Sequence, residues 1–185
     1  MIRRSSQDPL LSLLRRTADG DRESFQALYT RTNHRLSVYL HRFVRDTACI
    51  EDILVETYTQ VWKSSANFEG RSRVLTWMIG IARNMAFKEM GRIQYHEDLD
   101  DHPELIARKI DTDAGSRKEV LTRAFDRLSP KHREILDLAF YQDLPYQEIG
   151  TILNIPENTV KSRVFYAKTM LRKTFTKMGI NSNDL

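Results

Sequence analysis

Apolar residues recur along much of this chain at spacings of three and four, the period of a helix with one buried face. The clearest run is Val160, Val164, Ala167, Leu171 and Phe175, at spacings of 4, 3, 4 and 4. The opposite face of that predicted helix carries Asn158, Lys161, Ser162, Phe165, Tyr166, Lys168, Arg172 and Lys173. Just upstream, Ile149, Ile152 and Leu153 give a shorter helix one apolar face, and Gly150 stands where two steeply crossing helices need almost no side chain. Asn154 tolerates the left-handed conformation that ends a helix. Pro156 suits the first turn of the next one, where its missing N–H costs nothing. The pattern predicts a helix-turn-helix over residues 146–173 whose second helix reads DNA.

The N-terminal half predicts four helices. Asp8 can cap and Pro9 open a short first helix ending near Gly20. The second runs from about residue 22 to 44, with Phe25, Leu28, Leu36, Tyr39, Leu40 and Phe43 on one side. The third starts near Thr47 and turns Ile50, Ile53, Leu54, Tyr58, Val61 and Trp62 inward. Its other face shows Glu51, Asp52, Glu56, Gln60 and Lys63. Residues 64–73 then break the period with Ser, Asn and Gly. The fourth helix, about residues 74 to 92, is strongly apolar, with Leu75, Trp77, Met78, Ile79, Ile81, Ala82, Met85 and Ala86. Its polar positions Arg83, Asn84, Lys88 and Arg92 lie near one edge.

Charge divides the chain. Residues 1–92 hold 15 Lys or Arg and 10 Asp or Glu, residues 93–115 hold 2 and 7, and residues 116–185 hold 12 and 8. The middle segment has no sustained helical period and reads as an acidic tether between two small helical domains, 1–92 and 116–185. A 23-residue surface loop within one domain is the alternative, and such a loop is unusual in a compact fold. Ser116 followed by Glu119 is a capping-box signature for a helix reaching Leu128, and Ser129-Pro130 opens the next.

From Glu157 to Lys177 there are six Lys or Arg and one acid, on a chain of formal net charge +4. The charge alone fits an ordinary solvated face. Combined with the helix pair, the glycine and the turn, it favours a helix seated in a major groove lined by phosphates. Enzymatic readings fare poorly. The five histidines and single cysteine, Cys49, offer no metal-ligand spacing, no Gly-rich phosphate loop is present, and no catalytic residue or cofactor is expected. Cys49 reads as a small apolar residue rather than a redox handle. No apolar run approaches the roughly 20 residues of a membrane span. A cytoplasmic protein with no membrane insertion of its own is expected.

Three motifs, residues 51–62 (EDILVETYTQVW), 67–86 (NFEGRSRVLTWMIGIARNMA) and 128–163 (LSPKHREILDLAFYQDLPYQEIGTILNIPENTVKSR), occur in order around the acidic linker. Together they resemble the extracytoplasmic-function (ECF, group IV) sigma factors, two-domain initiation factors of bacterial transcription, over nearly all of residues 21–177. The resemblance implies an all-α fold, with region 2 at 1–92 and region 4 at 116–185. It implies core RNA polymerase, through its beta and beta-prime subunits, and promoter DNA as partners. An anti-sigma factor is a further expected partner, since such proteins commonly hold family members inactive.

The same resemblance assigns polymerase binding to Asp52, Glu56, Gln60, Trp62 and Lys63. It assigns capture of an unstacked −10 base to Asn67, Phe68, Arg71, Ser72 and Asn84, with Arg83, Lys88 and Arg92 available for phosphates. Phe68 has a second possible role, as a core anchor for its loop. Ile79 and Gly80 stand where relatives often carry aromatic or basic groups facing DNA. Lys161, Ser162, Phe165 and Tyr166 match base-facing positions for the −35 element, and Asn158, Thr159, Arg163 and Lys168 match positions near the backbone. Tyr166 replaces an arginine common in relatives, and a phenol lacks the bidentate reach to guanine. The linker matches a connector that threads the polymerase cleft. A helix-turn-helix regulator that is not a sigma factor is the alternative, since regulators share the C-terminal pattern. The four-helix N-terminal half speaks against the receiver or ligand-binding domain such a regulator carries. An adaptor whose basic helix binds an acidic protein is a third reading.

Overall fold

The computed structural model describes residues 8–42, 44, 46–97 and 123–178, except for the side chains of 92–97. Every regular element among the described residues is helical. The chain passes from a first compact unit to a second between His96 and Glu97. The helix holding Thr151–Leu153 belongs by chain continuity to the second. Most of the expected linker 93–115, Phe43, and the Ser116 and Glu119 capping pair lie outside the described residues.

The first unit contains α1 (Leu11–Ala18), α2 (Arg22–Leu40), α3 (Thr47–Ser64), a 3-10 turn (Ser65–Asn67) and α4 (Val74–Glu97). Local chemistry sets most of these bounds. The Asp21 carboxylate starts α2 by accepting the N–H groups of Glu23 at 3.0 Å and Ser24 at 3.3 Å. It also accepts the Ser24 hydroxyl at 2.8 Å and pairs with Arg16 at 2.6 Å. These donors, the Ser24 hydroxyl and amide foremost, hold its carboxyl below the usual aspartate value. Asp46 starts α3 by accepting the Ala48 N–H at 3.0 Å. To do so it adopts an extended backbone, φ −76° and ψ 120°. The chain therefore leaves α2 at Leu40, earlier than the apolar period implied, and Val44 folds back into the core.

Leu28, Leu36 and Leu40 of α2, Ile50 and Val61 of α3, and Val74, Met78, Ile79 and Ala82 of α4 are all fully buried. Burying each large aliphatic group contributes about 1.5–3 kcal/mol over leaving it exposed. Two inward expectations need correction. Trp62 is 36% exposed at the rim of α3, and Phe25 is only half-buried against it. Their rings meet edge to face at 5.1 Å, so the pair closes the core on one side and stays open on the other. A polar contact also ties α2 to α3 inside the core. The Thr32 hydroxyl lies 2.8 Å from the Tyr58 hydroxyl, and burial pushes the Tyr58 phenol above its ordinary range. At its far end α4 continues to Glu97, past the expected stop near residue 92.

In the second unit, helical residues 123–126 precede α5 (Pro130–Leu136), which runs into a π-helical turn (Asp137–Tyr141). Then follow α6 (Tyr146–Leu153) and α7 (Glu157–Lys177). Ser129 caps α5 with Pro130 in its first turn, as expected. The π turn carries no signal in the apolar period. Its extra residue shows in the bond from the Gln142 N–H to the Asp137 carbonyl, 2.9 Å across five residues. Asp137 and Leu138 stay buried while Phe140 and Tyr141 swing outward, 55% and 45% exposed. The core of this unit is Ile135, Leu138, Ile149, Val160 and Ala167, with α5 packed along α7.

The Asp21 cap gives the first unit a specific acid sensitivity. Because its carboxyl lies below the ordinary value of 3.8 in the folded state, its contribution is complete above that pH and lost as pH falls further. Thermal midpoints of wild type and Asp21→Ala, measured from pH 7 down to pH 2, should differ at neutral pH and converge in acid.

Candidate functional site

The helix-turn-helix has the expected local chemistry, with one refinement. Asn154 ends α6 in the left-handed region, φ 53° and ψ 49°. A Cβ on Gly150 would stand 2.7 Å from the Ile155 carbonyl oxygen, and only 3.8 Å from the Val160 side chain of α7. The turn's own backbone, more than the crossing helix, demands the glycine. Pro156 occupies the position just before α7 rather than its first residue, a shift of the size that boundary assignment allows.

On α7, Val160, Val164, Ala167 and Phe175 are buried and Leu171 is half-buried. That orientation leaves Asn158, Lys161, Ser162, Arg163 and Lys168 exposed, with Phe165 66% and Tyr166 60% exposed. Thr159 is half-buried, and its carbonyl accepts the Ser162 hydroxyl at 3.0 Å. Two cations are already engaged. Lys161 Nζ lies 2.9 Å from Glu157 Oε1, and Lys168 Nζ stands 4.5 Å above the Phe140 ring, which the π turn brought outward. The Phe165 and Tyr166 rings meet edge to face at 5.8 Å, forming one aromatic surface among the polar groups.

In the first unit, Asn67 is exposed at the end of the 3-10 turn, and Phe68 is half-buried with its ring 5.1 Å from Trp77. Phe68 thus anchors its loop to α4 while keeping part of its surface free. Gly70 takes φ 70°, a conformation that favours glycine. Arg71 is exposed and ion-paired with Glu69, and the half-buried Ser72 donates its hydroxyl to the Arg73 carbonyl at 3.2 Å. Asn84 and Lys88 are exposed on α4, and Arg83 lies 4.5 Å over the Phe87 ring. Arg83 is six residues beyond Trp77, about 9 Å along the axis of the helix that anchors the loop. Phe87, 42% exposed beside those cations, was not expected from the sequence. Its position outside the apolar face was the available signal. Ile79 is fully buried, in keeping with its place in the apolar run of α4, so this chain presents no DNA-facing group at that position. Arg92 has no described side chain.

The expected polymerase face divides in two. Asp52 and Glu56 are exposed and Gln60 is half-buried on one side of α3. Trp62 and Lys63 instead line a groove between α2 and α3, a cavity of about 670 Å³. Phe25, Tyr29 and Val55 complete its apolar lining, with Tyr29 and Val55 39% and 68% exposed. Val55 was legible as an apolar residue off the buried face. Tyr29 was not, because only the packing of α2 on α3 brings it beside Tyr58, ring centroids 4.8 Å apart.

A basic, partly aromatic helix held by a glycine-dependent turn, on a chain whose other helical unit bears an exposed apolar groove, is the arrangement of a helix-turn-helix DNA-binding protein. Residues 28–94 match the family Sigma-70 region 2, and residues 124–173 match Sigma-70, region 4. The RNA polymerase sigma factor CarQ of Myxococcus xanthus is 30% identical over 172 residues, covering 90% of this chain and 98% of that protein. The ECF RNA polymerase sigma factor SigK of Mycobacterium ulcerans is 26% identical over 173 residues, covering 89% and 92%. The fold is similar to that of the sigma factor RpoE from Bartonella quintana, solved in complex with the anti-sigma factor NepR. That match has TM-score 0.69 and 20% identity, and covers 83% of this chain and 98% of that one. The chain belongs to the ECF sigma factors, transcription initiation factors that direct RNA polymerase to promoters.

The geometry at Gly150 makes a stability prediction. Gly150→Ala places a methyl against a backbone carbonyl that cannot rotate away, a strain of about 1–3 kcal/mol. Thermal unfolding followed by circular dichroism should show the second unit's transition lowered, with −35 DNA affinity falling in parallel.

Proposed function

We propose that this sigma factor divides promoter recognition between the two units, over 1–92 and 116–185, with residues 93–115 as connector. In this reading α7 lies in the major groove of the −35 element. Lys161, Ser162, Phe165 and Tyr166 meet base edges, and Asn158, Thr159, Arg163 and Lys168 meet the backbone. The observation that carries the reading is the exposure of all of these but Thr159 on the side of α7 opposite its buried row. Before Lys161 can reach a base it must give up Glu157, an exposed pair held weakly enough for a phosphate-rich groove to replace it.

The loop that follows α3, with Asn67, Phe68, Arg71 and Ser72, receives an unstacked −10 base together with Asn84 of α4, while Arg83 and Lys88 hold the strand's phosphates. A stacking surface with nearby hydrogen-bonding groups is what an extruded base requires. The groove between α2 and α3, lined in part by Trp62 and Lys63, docks on core polymerase together with Asp52, Glu56 and Gln60 on the adjoining side of α3. Its apolar lining supplies affinity and its acidic rim chiefly sets association rate. The solved relative's complex with an anti-sigma factor supports an equivalent partner here, one that covers these exposed faces. The protein works in the cytoplasm, and phosphodiester chemistry is left to the polymerase.

Run-off transcription tests the function as a whole. Core polymerase with this protein should initiate on fragments enriched from its own genome, and core alone should not. Val55→Asp, placing a charge in the groove, should weaken co-purification with core by roughly tenfold or more, since a buried unpaired charge costs several kcal/mol, while leaving −35 binding unchanged. If core binding survives Val55→Asp, the groove is not the docking surface.

The recognition helix yields a sharper expectation. Lys161→Ala should relax preference at one or two −35 base pairs, with a cost of about 1–3 kcal/mol on the best site. Lys168→Ala should weaken all sequences alike and lower the salt slope by about one unit. Binding to single-base −35 variants across a salt series separates the two. Uniform scaling by Lys161→Ala would make that lysine a backbone contact.

A further inference from the structure

We propose that Asp8 is a positioning residue for promoter opening, a remote cap that fixes the start of α4 and with it the loop 68–73. The inference rests on the assignment of that loop to the −10 base.

The first N–H groups of any helix lack partners within it, and a nearby Ser, Thr, Asp or Asn usually supplies one. At the start of α4 the chain offers no such residue in the capping place. The Arg73 carbonyl accepts the Trp77 N–H at 3.1 Å, which makes Arg73 the capping position, and its side chain has no acceptor. Ser72, one residue earlier, has turned its hydroxyl to the Arg73 carbonyl. The acceptor comes instead from 66 residues away, where Asp8 Oδ2 takes the Val74 N–H at 2.6 Å. Val74 is fully buried, so water is poorly placed to substitute.

The same Asp8 also closes the turn that leads into α1, whose capping position is Leu10 rather than the expected Asp8. Its Oδ1 accepts the Leu10 N–H at 3.0 Å and its backbone carbonyl accepts the Leu11 N–H at 3.0 Å. Its charge lies at the positive ends of both helices. The helix that follows this turn packs against the 3-10 turn Ser65–Asn67, where Ser65 is buried. The loop therefore enters from a turn seated on α1 and exits into a helix capped by Asp8, in the turn that leads into α1. Both of its ends are referred to one short N-terminal element. Asn67, Phe68, Arg71 and Ser72 lie within that frame, and a frame of this kind holds recognition groups at fixed separation. Loosening its exit should matter at the step where a base leaves the stack, and little before it.

The test uses the full chain assembled with core polymerase, as wild type, Asp8→Ala, Asp8→Asn, Phe68→Ala and Asn84→Ala. Each is assayed on a duplex promoter and on the same promoter made non-complementary across the −10 region. Asp8→Ala should slow open-complex formation on duplex about tenfold, the size of a lost helix cap. On the pre-melted template it should stay within about twofold of wild type, with closed-complex affinity unchanged. Asp8→Asn, which keeps one oxygen acceptor, should lose less than Asp8→Ala. Equal losses on both templates would make Asp8 a general fold contact and overturn the proposal, as would no loss on duplex. The loop controls separate the two assumptions. If Phe68→Ala and Asn84→Ala also leave opening intact, the loop assignment itself fails. If they slow it while Asp8→Ala does not, only the positioning role fails.

Discussion

Short helices are marginal in water, so each face this protein offers to a partner exists only because the opposite face of the same helix is buried. On α7 the buried row Val160, Val164, Ala167 and Phe175 determines where Lys161, Phe165 and Tyr166 point. On α3 the buried residues Ile50, Ile53, Leu54 and Val61 leave Asp52, Glu56 and Val55 outside. In both units the hydrophobic core and the proposed recognition surface are two sides of the same helices. A core substitution that rotated either helix by a few tens of degrees would re-aim every contact on it.

The outward groups are not idle in the free protein. Lys161 is held by Glu157, Lys168 by Phe140, Arg71 by Glu69 and Arg83 by Phe87. Each partner lies near the surface, where a charge pair or cation–π contact contributes at most about 1 kcal/mol. Contacts of that size restrict the side chains without committing them, so exchange for a phosphate or a base costs little. Aromatic residues recur beside these cations in both units. A cation next to an exposed ring offers nucleic acid both charge neutralisation and a stacking face.

Much of this architecture was legible in the sequence because its causes are local. The 4, 3, 4, 4 spacing on α7, the left-handed Asn154, Ser129-Pro130 and the break after α3 depend on interactions within a few residues. Gly150 belongs with them, since the obstacle that demands it is the carbonyl of Ile155, five residues on. The candidate recognition residues of α7 were identifiable for the same reason: a helix with one apolar face declares its other face.

What only the tertiary structure decided depends on contacts distant in sequence. The groove joins Phe25 and Tyr29 of α2 to Val55 and Trp62 of α3, and no periodicity within either helix shows that they converge. Burial of Ile79 follows from how α4 packs on its neighbours, which the apolar run of that helix could not orient by itself. The π turn that exposes Phe140 beneath Lys168 arises from one extra residue in a helical pattern, invisible to a count of spacings. The Asp8 cap on Val74 spans 66 residues. The sequence by itself determined which residues form helices and which face of α7 is free. Packing between helices decided which of those free faces meet, because side chains far apart in the chain find each other only once the core has closed.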